Sequence, residues 1–157
     1  MNWGYLIAVM PVLLALLLVS AGIEDARLRT IANWKNALIA LMAIPWWWVN
    51  GMTIWPDIAI QIGVALAIFA FFCGAFALGQ MGGGDVKLIG ALALWFPVEP
   101  MIWLLIVMSL VGGGVTLVMM IDRWRRQDQS PVEIPYGVAI AIAGLLAVRE
   151  PLFNQFT

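Results

Sequence analysis

Apolar residues dominate this chain in six stretches, at residues 3–23, 34–49, 57–78, 86–95, 101–121 and 135–148. A helix needs about 20 apolar residues to cross the hydrocarbon core of a bilayer. The pattern predicts an all-α polytopic membrane bundle of about six transmembrane helices. The connections, at 24–33, 50–56, 79–85, 96–100 and 122–134, are too short to hold a second domain, so residues 1–157 are read as a single one. No internal repeat is evident. Residues 1–20 lack the basic start of a signal peptide, and their apolar run is longer than the usual core of one, so they are read as a retained first span. The fourth stretch is short. Eleven residues from Val86 precede Pro97, about 16 Å of helix. Three resolutions are open: residues 82–85 dip into the membrane, the helix begins earlier, or it continues past Pro97.

Composition agrees with a lipid-embedded chain. Of 157 residues, 64% are hydrophobic and only 11% charged, with a mean hydropathy of +0.98. A soluble domain carries about 25% charged residues. The lipid bilayer is therefore an expected partner. A net charge of −1 and the absence of a basic patch give no reason to expect nucleic acid.

The eight basic residues set an orientation. Arg27, Arg29 and Lys35 flank the first connection, Lys87 follows the third, and Arg123, Arg125 and Arg126 lie in the fifth. Only Arg149 falls on the other side. The positive-inside rule makes the populated side cytoplasmic, with both termini outside. Trp46, Trp47, Trp48 and Trp55 then cluster at the outer end and are read as an aromatic interface belt. Asp57 and Glu99 are read as solvated acids of the outer loops.

Two carboxylates change the picture. Asp85 ends the run Met81-Gly82-Gly83-Gly84-Asp85 between two apolar stretches, and Asp25 ends the first stretch. Ionisable groups in such places are costly and mark functional sites. The chain has no histidine, which excludes Ser-His-Asp and Cys-His triads and His-ligated metal sites. Its one cysteine, Cys73, is read as a small buried core residue. Both aspartates map to the cytoplasmic ends of spans. If they meet, one carboxyl holds a proton and the other does not, which is the acid–base equipment for peptide hydrolysis by water. Taken singly, each could instead cap a helix or sit at the interface.

The segment Gly82-Gly83-Gly84-Asp85-Val86-Lys87-Leu88 resembles the Gly-x-Gly-Asp signature of the aspartic type IV prepilin leader peptidases. Asp25 matches that family's other catalytic aspartate. Residues Arg29-Thr30-Ile31-Ala32-Asn33 resemble its Arg-x-Ile-Pro-Asn segment, with Ala32 in place of Pro, and Ile134-Pro135-Tyr136-Gly137-Val138-Ala139 resembles its late Pro-Tyr-Gly or Pro-Phe-Gly type segment. The resemblance runs over essentially the whole chain. It implies a catalytic pair Asp25 and Asp85, with Gly82 and Gly84 shaping a turn that presents Asp85. It implies no cofactor or metal, and a prepilin or pseudopilin substrate with a basic leader and a hydrophobic helix, cut at the cytoplasmic face of the inner membrane. The long members carry an added cytoplasmic region with paired cysteines and also methylate the new N-terminus. This chain has neither feature and resembles the short, peptidase-only form associated with Flp-type pili.

Other residues have plainer readings. Lys87 either tunes Asp85 by charge, as a site-shaping residue, or anchors the cytoplasmic interface. Glu24 is the alternative to Asp25. Gly112-Gly113-Gly114 is expected to allow close helix packing. Asp122, Asp128 and Glu133 are read as a solvated loop able to touch a basic leader, and Pro135-Tyr136-Gly137 as the start of the last span. Two rival functions remain: a small proton-coupled transporter, and a noncatalytic scaffold for pilus assembly. Oligomeric state is left open.

Overall fold

The computed structural model describes residues 3–126 and 135–149, and all regular structure among them is helical. Six α-helices follow one another: α1 (Trp3–Leu28), α2 (Asn33–Val49), α3 (Ala59–Ala77), α4 (Gly83–Leu92), α5 (Val98–Arg126) and α6 (Tyr136–Arg149). A wider helical turn at Ile54–Ile58 leads into α3, and its Asp57 accepts bonds from the Thr53 amide and hydroxyl at 2.9 and 2.8 Å. Asp57 is thus exposed but engaged as a local cap.

Three segments are long and apolar enough to cross a membrane: Ile7–Leu28, Ile54–Ala77 and Val98–Arg126. They are apolar on every side because lipid replaces water outside. In α1, Leu14, Leu18 and Ala21 are sealed against protein, while Val12, Leu13, Leu16, Val19 and Ile23 face outward. A helix that is hydrophobic all round is what such a double contact selects. The molecule is an all-α membrane helix bundle.

Several helices outrun the apolar stretches. The first continues beyond residue 23 and carries Glu24 and Asp25 within its last turns. It ends where Arg29 adopts a left-handed conformation (φ 56°) and donates its amide to the Asp25 carbonyl at 2.9 Å. The fifth runs through Asp122 to Arg126, so Asp122 is helical rather than part of a loop. It pairs with Arg126 one turn on, at 3.0 Å. Asp128 and Glu133 lie outside the described residues. Cys73 is half-buried on α3, not a core residue.

The short fourth helix is the centre of the bundle, packed on α2, α3 and α6. It starts three residues earlier than expected, at Gly83, and it ends at Leu92 instead of lengthening past Pro97. The protein interior makes this possible. Backbone carbonyls released at a helix end need donors when no water is near. Here Gln61 Nε2 on α3 donates to Ala93 O at 2.7 Å and Phe96 O at 2.6 Å. Trp47 Nε1 donates to Leu94 O at 2.7 Å. Trp95 returns the favour to α2, donating to Ile39 O at 2.8 Å, and its ring stacks on Trp46 with centroids 5.5 Å apart.

This corrects the aromatic belt. Trp46 and Trp47 are 2% and 7% exposed and belong to the core that closes the end of α4, whereas Trp48 and Trp55 do face outward. The glycine expectation at 112–114 splits likewise. Gly112 packs within 3.7 Å of Ala139 and Tyr136 on α6, counting from where a Cβ would stand, while Gly113 and Gly114 face open space.

Candidate active site

The C-terminal turns of α1 and the N-terminal turns of α2, α4 and α6 converge at one end of the bundle. Asp25 reaches the start of α6. Its Oδ2 accepts the Val138 amide at 3.2 Å. A helix start offers unpaired amides and the positive end of the macrodipole, so it suits a carboxylate. The fit depends on the absence of a side chain at Gly137. A Cβ there would lie 2.8 Å from both Asp25 Cγ and Oδ2, and 2.8 Å from Ile31 Cδ1.

Asp85 occupies the first turn of α4, behind Gly82 in the N-cap position. Its amide donates to Gly82 O at 3.1 Å. Its side chain is buried, and Oδ1 has no hydrogen-bond partner among the described residues. Buried polar atoms almost always find partners, so an unpaired carboxylate oxygen sets Asp85 apart from an ordinary capping residue.

The glycines do not form the irregular turn expected of them. Gly83 and Gly84 are helical, and Gly82 is extended with φ −72°, a conformation open to any residue. Closeness makes them necessary instead. A Cβ on Gly84 would meet Ile31 N at 3.2 Å and Ile31 Cβ at 3.3 Å, and one on Gly82 would stand 3.0 Å from Asp85 Oδ2. Asn36 Nδ2 holds the Gly84 carbonyl at 3.1 Å, fixing the first turn of α4 against α2.

Both aspartates line the same two adjoining cavities, of about 490 and 320 Å³. Arg29, Thr30 and Gly82 border both, and Tyr136 and Gln80 border the larger. The two carboxyl groups, from different helices, therefore border one shared volume.

The remaining candidates lie elsewhere. Glu24, next to Asp25, turns away into an ion pair with Lys35 at 2.7 Å, and it also accepts the Ala32 amide at 3.3 Å. Lys35 in turn donates to Ser20 Oγ at 2.7 Å. Glu24 is therefore engaged outside the cavity, and Asp25 is the acid facing Asp85. Lys87, two residues past Asp85, points to another side of α4, where it donates to Asn33 Oδ1 at 2.8 Å. It borders a groove between α2, α3 and α4 rather than the acid pair. No group of three or more His, Cys, Asp or Glu able to hold a metal occurs among the described residues.

Sequence reading missed Asn36, which seats the start of α4. It flagged the segment holding Gly137 and Val138 as a family resemblance and a helix start, but not that these two residues seat Asp25.

The sequence profile of the type IV leader peptidase family matches residues 12–117, well over half of the chain and including both aspartates. No curated protein and no solved structure matches it.

Proposed function

The chain belongs to the type IV leader peptidase family and is a membrane-embedded peptidase, and from that premise we propose that it is an aspartic endopeptidase using Asp25 and Asp85 as an acid–base pair. It removes the short basic leader of Flp-type prepilins or pseudopilins at the cytoplasmic face of the inner membrane. The observation that supports this reading best is that two carboxylates from different helices, Asp25 and Asp85, line the same two adjoining cavities. The charge bias of the connections supports the cytoplasmic placement.

In this mechanism the charged carboxylate takes a proton from water while the neutral one donates its proton to the oxygen of the scissile carbonyl. The water oxygen bonds to the carbonyl carbon, giving a neutral tetrahedral diol. Collapse breaks the C–N bond as a proton passes to the leaving nitrogen, and the pair is left ready for another water. No covalent enzyme intermediate forms. Each carboxyl needs a different protonation state, so the rate should fall on both the acid and alkaline sides of an optimum.

The test is co-expression with a prepilin whose basic leader ends in Gly, scoring leader removal for the wild type, Asp25→Asn and Asp85→Asn. Removal by the wild type alone supports the reading. Full removal by either Asn variant sinks the paired mechanism and favours a noncatalytic assembly role.

A further inference from the structure

The larger acid-lined cavity does not end at the carboxylates. Gln80, Met81 and Tyr136 line it and also line a second hollow of about 650 Å³ that descends between α3 and α5, with the start of α6 beside it. Phe71, Phe72 and Ala75 of α3 form one wall, and α5 forms the other from Met120 back to Met108. Tyr136 lies against Gly112, so the acid cavity opens onto this wall part-way along its length, with about 6 Å of helix on the Met108 side and about 12 Å on the Met120 side. The groove faces the lipid: Phe71, Leu117 and Met120 are all exposed.

The α5 wall is built for close approach. Ser109 and Gly113 stand one turn apart, both exposed, and small residues at such spacing let another helix come near. A Cβ on Gly113 meets nothing within 4 Å, so the space over it is open. The hydroxyls of Ser109 and Thr116 are already bonded within α5, each to the carbonyl four residues back at 2.8 Å. The wall therefore presents no unmet polar group to an apolar occupant.

Resting on the peptidase reading above, we propose that this α3/α5 groove docks the apolar transmembrane helix of the substrate, with the peptide just beyond that helix led into the acid cavity. The occupant has to be apolar where it lies along the wall and offer a peptide group where Gln80, Met81 and Tyr136 open onto the acid cavity. A lipid chain satisfies the first condition but offers no peptide group to the acid cavity. A membrane helix with an extended end satisfies both. Gly113 is then a specificity-determining position distant from the chemistry.

The experiment uses the full chain in liposomes and a single-span substrate with a basic leader ending in Gly followed by an apolar helix. Gly113→Phe puts a ring on the groove wall at a position where an added Cβ meets nothing within 4 Å, and Gly114→Phe is the control, because Gly114 is equally open there but is not part of the groove. Gly113→Phe should lower kcat/KM by about tenfold or more, chiefly through KM, while Gly114→Phe stays within about twofold of wild type. Wild-type kinetics for Gly113→Phe would overturn the proposal. An independent arm places a photo-crosslinking phenylalanine derivative at Leu117 in the Asp85→Asn protein. Adducts to the apolar helix of the substrate support docking, and adducts to lipid alone overturn it even if Gly113→Phe fails to insert. Absence of cleavage by the wild type would sink the peptidase reading instead, and the crosslink would still report on the groove.

Discussion

The two ends of α4 are solved in opposite ways. At its C-terminal end three freed carbonyls are each taken by a side chain from another helix, through Gln61 and Trp47, and the rings of Trp46 and Trp95 seal the region. At its N-terminal end an ionisable side chain is buried with one oxygen unpartnered, beside a second carboxylate held by backbone amides at the start of α6. One end satisfies its released carbonyls and fixes the bundle. The other withholds satisfaction and leaves room. The difference separates stability from function: changes at the first end should be felt in folding, and changes at the second in cleavage.

The strongest way to test that separation is Asp85→Asn, or Asp25→Asn. Asn is close to Asp in shape but cannot supply or accept the proton, so each variant should lose about 10²–10⁴ in cleavage rate, as removal of a positioned acid or base does. Thermal stability in detergent should hold or rise, because a carboxyl is no longer buried. Glu24→Gln, one residue from Asp25, should leave most of the cleavage intact, since Glu24 is tied to Lys35 outside the cavity. Equal losses from Glu24→Gln and Asp25→Asn would show that the division between the neighbouring acids has been drawn wrongly.

Gly137→Ala sharpens the comparison with a single methyl group. The added carbon would stand 2.8 Å from the Asp25 carboxyl and must push it from the Val138 amide. Misplacing a reacting group by about 1 Å can cost about 10²-fold in rate. The expected result is a fall of roughly that size in kcat with a smaller change in melting temperature. An unchanged kcat would mean that Asp25 does its work from another position.

Gln61→Leu probes the opposite end. It removes both donors from buried carbonyls, each of which costs about 1–3 kcal/mol to leave unmet. A loss of about 2 kcal/mol in stability is expected, read from denaturation in detergent, while the folded fraction keeps its specific activity. Loss of specific activity without loss of stability would erase the distinction between the ends.

The parts legible in the sequence were those with a one-dimensional cause. An acid among apolar residues is costly wherever the chain folds, so Asp85 and Asp25 stood out, and the apolar stretches located the helices. The errors arose where the cause was a partner distant in sequence. Charged residues after residue 23 looked like the end of a span, yet the helix persists until Arg29 turns left-handed. Tryptophans 46 and 47 carried the composition of an interface belt, and nothing nearby revealed that the frayed end of α4 would need an indole donor. Gly137 lies more than a hundred residues from the carboxyl it admits. Lys87 sat near Asp85 in the chain, but two residues along a helix place side chains on different faces.

The smallest expected effect concerns Ala32, where the related segment has proline. The residue precedes α2 with φ −60° and ψ 131°, angles that a proline ring accepts. Ile31 before it is outside any helix, so the restriction that proline imposes on its predecessor is not violated there. Proline at a compatible site stabilises by about 0.4–1 kcal/mol through the unfolded chain. Against this, Ala32→Pro removes the amide that donates to Glu24 at 3.3 Å, a long bond whose acceptor keeps Lys35. The two effects oppose each other. Ala32→Pro should shift stability by no more than about 0.5 kcal/mol and leave kcat unchanged. A large loss of cleavage would show that the amide bond to Glu24 positions the neighbouring Asp25, coupling the stabilising network to the acid pair after all.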